Sequence, residues 1–318
     1  MAGVEEYIID NAFNKDNLTT LIKSFNREVF IPFIGAGPST ILGEPGWEEL
    51  ITNLYKAFGL KIRRAKLPNG KVDYPKIFSN LCKKIGDKEQ FYKKLFEHLR
   101  PTQTEITGFH LKLVDLFHAY VTTNYDSPIE IAFKNQHKTE LRKYFFSCYG
   151  TNNLKDCVVY LHGHKEINFC IIKTEDYDYF YPSVNKKNGI PILEDFLSEI
   201  FTEKNIIFCG FSFDDFYLEN FISYLHAMKP IENCHYWLLS ESVEAFREIM
   251  KKADEYNRAG KSDEATAVVS SFFHGKMNIK PIVYKQGEHI FIEKLFEILI
   301  KSLPTTIASG KVSALPVR

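Results

Sequence analysis

Paired cysteines are missing from this sequence. Its six cysteines, Cys82, Cys148, Cys157, Cys170, Cys209 and Cys234, form no Cys-x-x-Cys, so no zinc site is written in them and no metal is expected. Several lie inside apolar runs, as Cys209 does in Ile206-Ile207-Phe208-Cys209, which suits buried, reduced thiols in a cytosol. Net charge is missing too: 40 Lys and Arg balance 40 Asp and Glu. That argues against direct nucleic-acid binding. The one basic run, Lys61-Ile62-Arg63-Arg64-Ala65-Lys66, reads as solvated surface. No apolar stretch has the length of a membrane span. Met1 to Asp10 has neither the basic start nor the apolar core of a secretory signal. There is no internal repeat and no low-complexity tract.

What is present is a globular composition, with 45% hydrophobic and 25% charged residues, on a chain long enough to bury a core without staples. Strand-like runs alternate with helical patterns, which predicts an α/β fold with a doubly wound, mainly parallel sheet. Strands are expected at Val29–Gly35, Ala119–Thr123, Val158–Leu161, Asn205–Gly210, Tyr236–Leu239 and Lys280–Tyr284, with a short one within Ile167–Ile172. Pro32 counts against the first, since proline cannot donate to a ladder. Helices are expected from Trp47, over Ile190–Phe201, from Asp214, over Ser240–Asn257 and over Ile290–Leu303. Residues 60–110 read either as a small helical insertion or as further helices on the same core. Residues 1–303 form the expected catalytic unit, and 304–318 read as a loose tail.

Four segments place polar groups or glycines where a strand ends, which is where open α/β sheets bind ligands. Phe33-Ile34-Gly35-Ala36-Gly37-Pro38-Ser39-Thr40 lets backbone approach a phosphate, but it lacks a third glycine and reads equally as a tight turn. Thr122-Thr123-Asn124-Tyr125-Asp126 offers Asn124 and Asp126 to hydroxyls or an amide, or else forms an Asx turn before Ser127-Pro128. Leu161-His162-Gly163-His164 supplies a general base near neutral pH, or a structural histidine. Gly210-Phe211-Ser212-Phe213-Asp214-Asp215 permits another close approach, and Ser212 or Asp214 caps the next helix.

In order and content the four resemble the sirtuin (silent information regulator) family. Gly35-Ala36-Gly37-Pro38-Ser39 is similar to its Gly-Ala-Gly-x-Ser loop, Thr122-Thr123-Asn124-Tyr125-Asp126 to Thr-Gln-Asn-Ile-Asp, Leu161-His162-Gly163 to Leu-His-Gly, and Gly210-Phe211-Ser212 to Gly-Thr-Ser. With Gly43-Glu44-Pro45-Gly46-Trp47, the wording is closer to bacterial sirtuin-like domains of antiphage defence systems than to protein deacylases. The likeness runs over about residues 30–300. The deacylases' four-cysteine ribbon and their Asp-Phe-Arg after Gly-x-Pro are both absent, which speaks against deacylation.

The resemblance implies a Rossmann-like fold with NAD as substrate, catalysis by Asn124 and His162, and binding by Gly35, Ala36, Gly37, Ser39, Thr40, Trp47, Asp126, Gly210, Phe211, Ser212 and Asp215. In that picture the glycine loop holds the pyrophosphate, Asn124 orients ribose hydroxyls or water, and His162 is the base. Asp126 meets the nicotinamide side, Trp47 walls the ribose, and the Gly210 segment faces the adenosine half. The implied reaction is NAD glycohydrolysis in the cytoplasm. A non-catalytic NAD or ADP-ribose sensor and a zinc-free deacylase or ADP-ribosyl transferase stay open. Homo-oligomerisation, and a separate partner such as a HerA-type ATPase or a short Argonaute, are implied by the same resemblance.

Overall fold

Four apolar runs form the middle of one sheet, and every residue in them is buried: β1 (Phe30–Ile34), β2 (Ala119–Thr122), β4 (Cys157–Tyr160) and β7 (Asn205–Cys209). Strands this continuously apolar have both faces covered. The edges are β3 (Arg142–Phe145) on one side, and β8 (His235–Ser240) followed by β9 (Ile279–Tyr284) on the other. Two short strands, β5 (Gly163–His164) and β6 (Phe169–Cys170), pair antiparallel as a separate ribbon. The seven-stranded sheet runs β3-β4-β2-β1-β7-β8-β9 and is parallel throughout. The expected Rossmann-like α/β fold is therefore present. The computed structural model describes residues 4–303 except 9–11, 26–28, 68–69, 71, 100–105, 149, 151–153, 186–187, 212–215, 229–232, 275–278, 286 and 288. The expectations for the 304–318 tail and for Ser212, Asp214 and Asp215 lie outside the described residues.

Alternation along the strands sorts side chains onto two faces. Phe33, Val121, Val159, Phe208 and Trp237 face one core, built with helices Thr174–Phe180, Ile192–Glu203 and Phe216–Met228. Ile34, Tyr120, Tyr160, Ile207 and Tyr236 face the other, built with helices Ala12–Phe25, Gly108–Leu116, Pro128–His137 and Ile290–Ser302. A third cluster joins helices Trp47–Ala57, Tyr74–Ile85 and Lys88–His98. It takes in Tyr125, Cys170 and Ile172, so this helical group rests on the loop after β2 and on the ribbon.

Pro32 sits in the central strand, opposite Ile207 of β7. The Gly35 N–H points to Cys209 of β7. Ladder direction alternates residue by residue, so the donor that Pro32 lacks would face β2. The β1–β2 register begins only at Phe33, and no ladder bond is lost there. Several elements differ from the expectation, among them the helices Ala12–Phe25, Thr174–Phe180 and Ser262–His274, which no expected element covers. A short helix, Gly37–Ile41, forms inside the glycine loop before Trp47. Edge strand β3 has half-exposed, mixed residues that carry no strand-like run. All six cysteines are free thiols. No helix among the described residues is long and apolar enough to cross a membrane.

Candidate active site

The four motifs start from one line across the sheet. Tyr160 pairs with Thr122, Thr122 with Ile34, and Ile34 with Cys209. Leu161, Thr123, Gly35 and Gly210 therefore leave the carboxyl edge side by side. Three strand spacings, about 14 Å in all, separate the first from the last. Strand order reverses at β1, whose neighbours are β2 and β7. This is the switch point at which such sheets hold their ligands.

The loops after β1 and β7 are packed backbone to backbone. The N–H of Gly35 donates to Cys209 O at 3.0 Å, and that of Gly37 to Gly210 O at 2.9 Å. A Cβ at Gly37 would meet Gly210 Cα at 2.8 Å, and one at Gly210, whose φ is +63°, would meet Pro38 Cδ at 2.2 Å. The glycines are thus required by loop-to-loop contact, and the N–H groups of Gly35 and Gly37 are already taken. Ser39 and Thr40 donate their N–H groups to Ala36 O, and Thr40 its hydroxyl to Gly37 O. Ala36 and Thr40 are exposed on the loop's outer side.

Asn124 ties β2 to this loop. Its Nδ2 donates to Gly35 O at 2.9 Å and to Ser39 Oγ at 3.0 Å. Because a carbonyl only accepts, the Gly35 contact fixes which end of the amide is nitrogen, and Oδ1 is the end left to accept from a ligand. Thr122, which the sequence reading did not single out, supports the turn. Its hydroxyl donates to Ile34 O at 2.8 Å and accepts the Asn124 N–H at 3.0 Å. Tyr125 was also missed. Its ring is buried in the helical cluster and its hydroxyl donates to Ile171 O at 2.8 Å. The half-buried Asp126 shares a side-chain hydrogen bond with Ser39. Burial pushes its carboxyl pKa up to about 6, against the lowering effect of Ser39. Ser39, Asn124 and Asp126 are thus one hydrogen-bonded cluster beside the switch point.

His162 follows β4 and is 2% exposed. Its Nε2 lies 3.0 Å from the Tyr181 hydroxyl, and Tyr177 packs edge-on to the imidazole at 5.5 Å. His164 is a different kind of histidine. It is fully buried, with Nε2 3.2 Å from Ser127 Oγ and 3.8 Å from Glu130 Oε1. Its Nδ1 accepts the Glu166 N–H at 3.3 Å, and its ring lies 4.5 Å from that of Tyr160. Burial lowers its pKa, with the Glu130 charge opposing. Both nitrogens of His164 are engaged in holding the fold.

Two further binding candidates have packing partners of their own. Trp47 stacks on Tyr74 at 6.1 Å and meets Phe78 edge-on at 5.6 Å, so its packing partners are in the helical group. The Phe211 ring is in the core against Phe33 and Phe208, and its carbonyl accepts from Trp237 Nε1 at 2.8 Å. Among the described residues no group of three or more His, Cys, Asp and Glu side chains is placed to hold a metal.

This geometry is that of a Rossmann-like α/β domain with four motifs at its switch point, and the family model described as a SIR2-like domain matches residues 118–260. The match takes in the Asn124, His162 and Gly210 motifs, so the resemblance read in the sequence holds for that part of the chain. The chain is also similar to two proteins named NAD(+) hydrolase ThsA. It is 28% identical to that of Bacillus cereus (strain MSX-D12) over 278 residues, 85% of this chain and 54% of the relative. It is 25% identical to that of Enterococcus faecium over 251 residues, 76% of this chain and 48% of the relative. The chain spans about half the length of these curated relatives.

Proposed function

We propose that this chain hydrolyses NAD to nicotinamide and ADP-ribose. The observation that carries the reading is the alignment of four motifs on one register row around the β1/β7 switch point, with Asn124, Ser39 and Asp126 bonded together beside it. The similarity to NAD(+) hydrolases supports it independently.

The chemistry suits these residues. When the bond between ribose C1′ and the nicotinamide nitrogen breaks, its electron pair neutralises the cationic ring. The leaving group needs no acid, and charge develops on the ribose. Water then attacks C1′ and gives up a proton. In this reading Asn124 Oδ1 accepts from that water or from a ribose hydroxyl, and His162 takes the proton. Asp126 lies on the nicotinamide side. Ala36, Ser39 and Thr40 line the pyrophosphate path, and Gly210 faces the adenosine half. Holding the sugar, excluding bulk water and positioning one nucleophile are the tasks such a site performs.

An unrestrained NAD hydrolase would drain its host, so the reading includes restraint and release, as in antiphage defence in the cytoplasm. Release would come from homo-oligomerisation or from a defence partner such as a HerA-type ATPase or a short Argonaute. The helices within residues 60–110 are the proposed insertion on which it acts, since their cluster includes Tyr125, between Asn124 and Asp126. Moving such an element from about 1:99 to 99:1 needs about 5.5 kcal/mol of differential binding. The testing experiment incubates the protein with NAD alone, at rising protein concentration, and separates the products. Equimolar nicotinamide and ADP-ribose support the reading. NAD consumption only with an acceptor protein would replace it with deacylation or ADP-ribosyl transfer, and NAD binding without turnover at any concentration would replace it with sensing.

A further inference from the structure

The segments after β4 and β7 meet through three tyrosines that no motif marks. Tyr181, fully buried, follows helix Thr174–Phe180 and donates its N–H to Tyr177 O at 2.8 Å. Its ring is boxed by Tyr177 at 5.9 Å, Phe221 at 6.3 Å and Tyr217 at 6.4 Å. Tyr177 in turn stacks on Tyr217 at 4.4 Å with the planes 17° apart. Tyr217 belongs to helix Phe216–Met228, the first element after the Gly210–Asp215 segment. The Tyr181 hydroxyl that this packing holds in place is the one 3.0 Å from His162 Nε2.

We infer that Tyr181 is a positioning residue for His162, and that the Tyr177–Tyr217 stack fixes Tyr181. The inference rests on the reading of His162 as the base. An imidazole's orientation and tautomer are set by the hydrogen bonds of its nitrogens. A phenol both donates and accepts, so Tyr181 holds the neutral ring in either tautomer. Once His162 has taken a proton, its Nε2–H donates to the phenol oxygen. That bond is charge-assisted and stronger than the neutral one. Tyr181 therefore favours the protonated ring, the state that the base reaches during the reaction, while keeping its own proton.

Two measurements on the full chain test this. The first needs no turnover: the ring nitrogen shifts of His162 are followed by NMR against pH. Tyr181→Phe keeps the aromatic box and removes only the hydroxyl. The His162 pKa is expected to fall by about one unit or more, a tenfold loss of protonation per unit, while Tyr217→Phe leaves it in place. The second is steady-state NAD cleavage. In Tyr181→Phe, kcat is expected to fall about 10- to 100-fold with KM within about twofold, and the pH profile of kcat to move acidward with the NMR titration. An unchanged His162 titration in folded Tyr181→Phe overturns the inference, whatever the turnover. Should that variant not fold, 3-fluorotyrosine at position 181 weakens the oxygen as an acceptor with little change of shape. It must lower the same pKa, and no movement overturns the inference. An inactive natural chain would remove the proposed activity but leave the titration result standing.

Discussion

Gly37 and Gly210 touch through their backbones: the Gly37 N–H donates to Gly210 O at 2.9 Å, and the space beside Gly37 Cα is filled by Gly210. The loops on either side of the switch point are therefore one unit. Gly37→Val should destabilise the fold by about 1–3 kcal/mol, the usual cost of overpacking, before any ligand is added. Gly210→Ala should do so as well, since it adds an unfavourable φ of +63° to a 2.2 Å clash with Pro38. Calorimetric melting of the ligand-free protein checks both. An unchanged Tm in Gly37→Val would mean that the loops separate freely.

The first, weaker half of this was legible in the sequence. Strand-end glycines, Asn124, Asp126 and His162 stand next to apolar runs, and simple alternation places them at the carboxyl edge. What was not legible is which atoms fill the space around them. Gly37 reads as room for a pyrophosphate, yet its neighbour is Gly210, 173 positions away in sequence order (210 − 37). Tyr181 lies 19 residues from His162, just after a helix with no motif of its own. Phe211 sits in a ligand-type motif, but its ring is core. Local pattern reports strand ends well, whereas contacts made by packing depend on the whole fold.

Asp126 should give the pH profile an acid limb. Its pKa is raised to about 6 by burial, so the carboxylate is lost as pH falls through 6. If the ionised form faces the cationic nicotinamide, kcat/KM should rise through about pH 6 and level off above it. Asp126→Asn should lower activity and flatten that limb. The measurement is kcat/KM from pH 5 to 8, roughly the range over which such a group titrates. An unaltered limb in Asp126→Asn would assign it to another group.

His235 should make the fold acid-sensitive. It is buried, accepts the Ile206 N–H at 3.1 Å, and has its pKa lowered from 6.5 to about 4. A depressed histidine pKa means that the unfolded chain binds the proton first. Its stabilising contribution is complete above pH 6.5 and shrinks as pH falls toward 4. Between pH 6.5 and 4.5 the change is about 1.6 units, or ~2 kcal/mol. In His235→Asn, which keeps an acceptor for Ile206, stability should depend less on pH by about that amount over the same interval. Urea titrations at the two pH values measure it, and equal pH dependence in both proteins would contradict the assignment.

His164→Ala should act on stability more than on chemistry. The substitution empties a fully buried site and removes the partner of the Ser127 hydroxyl and of the Glu166 N–H, while Glu130 keeps Tyr160 and Lys143, a loss of about 2–5 kcal/mol. At a temperature where the variant is folded, NAD cleavage should remain well above that of His162→Ala. The reverse ranking would mean that His164, with its Ser127 and Glu130 contacts, is the working histidine.

The central claim is NAD cleavage at a site where His162 is the base, and one comparison tests it most directly. The natural chain and His162→Ala, matched for circular dichroism and assayed at equal concentration in the most active state found, are given NAD without an acceptor. Nicotinamide release is then followed. The account predicts release by the natural chain and a loss of about 10²–10⁴-fold in the variant. Equal rates in the two proteins, or no release by the natural chain in any state of assembly, would contradict it.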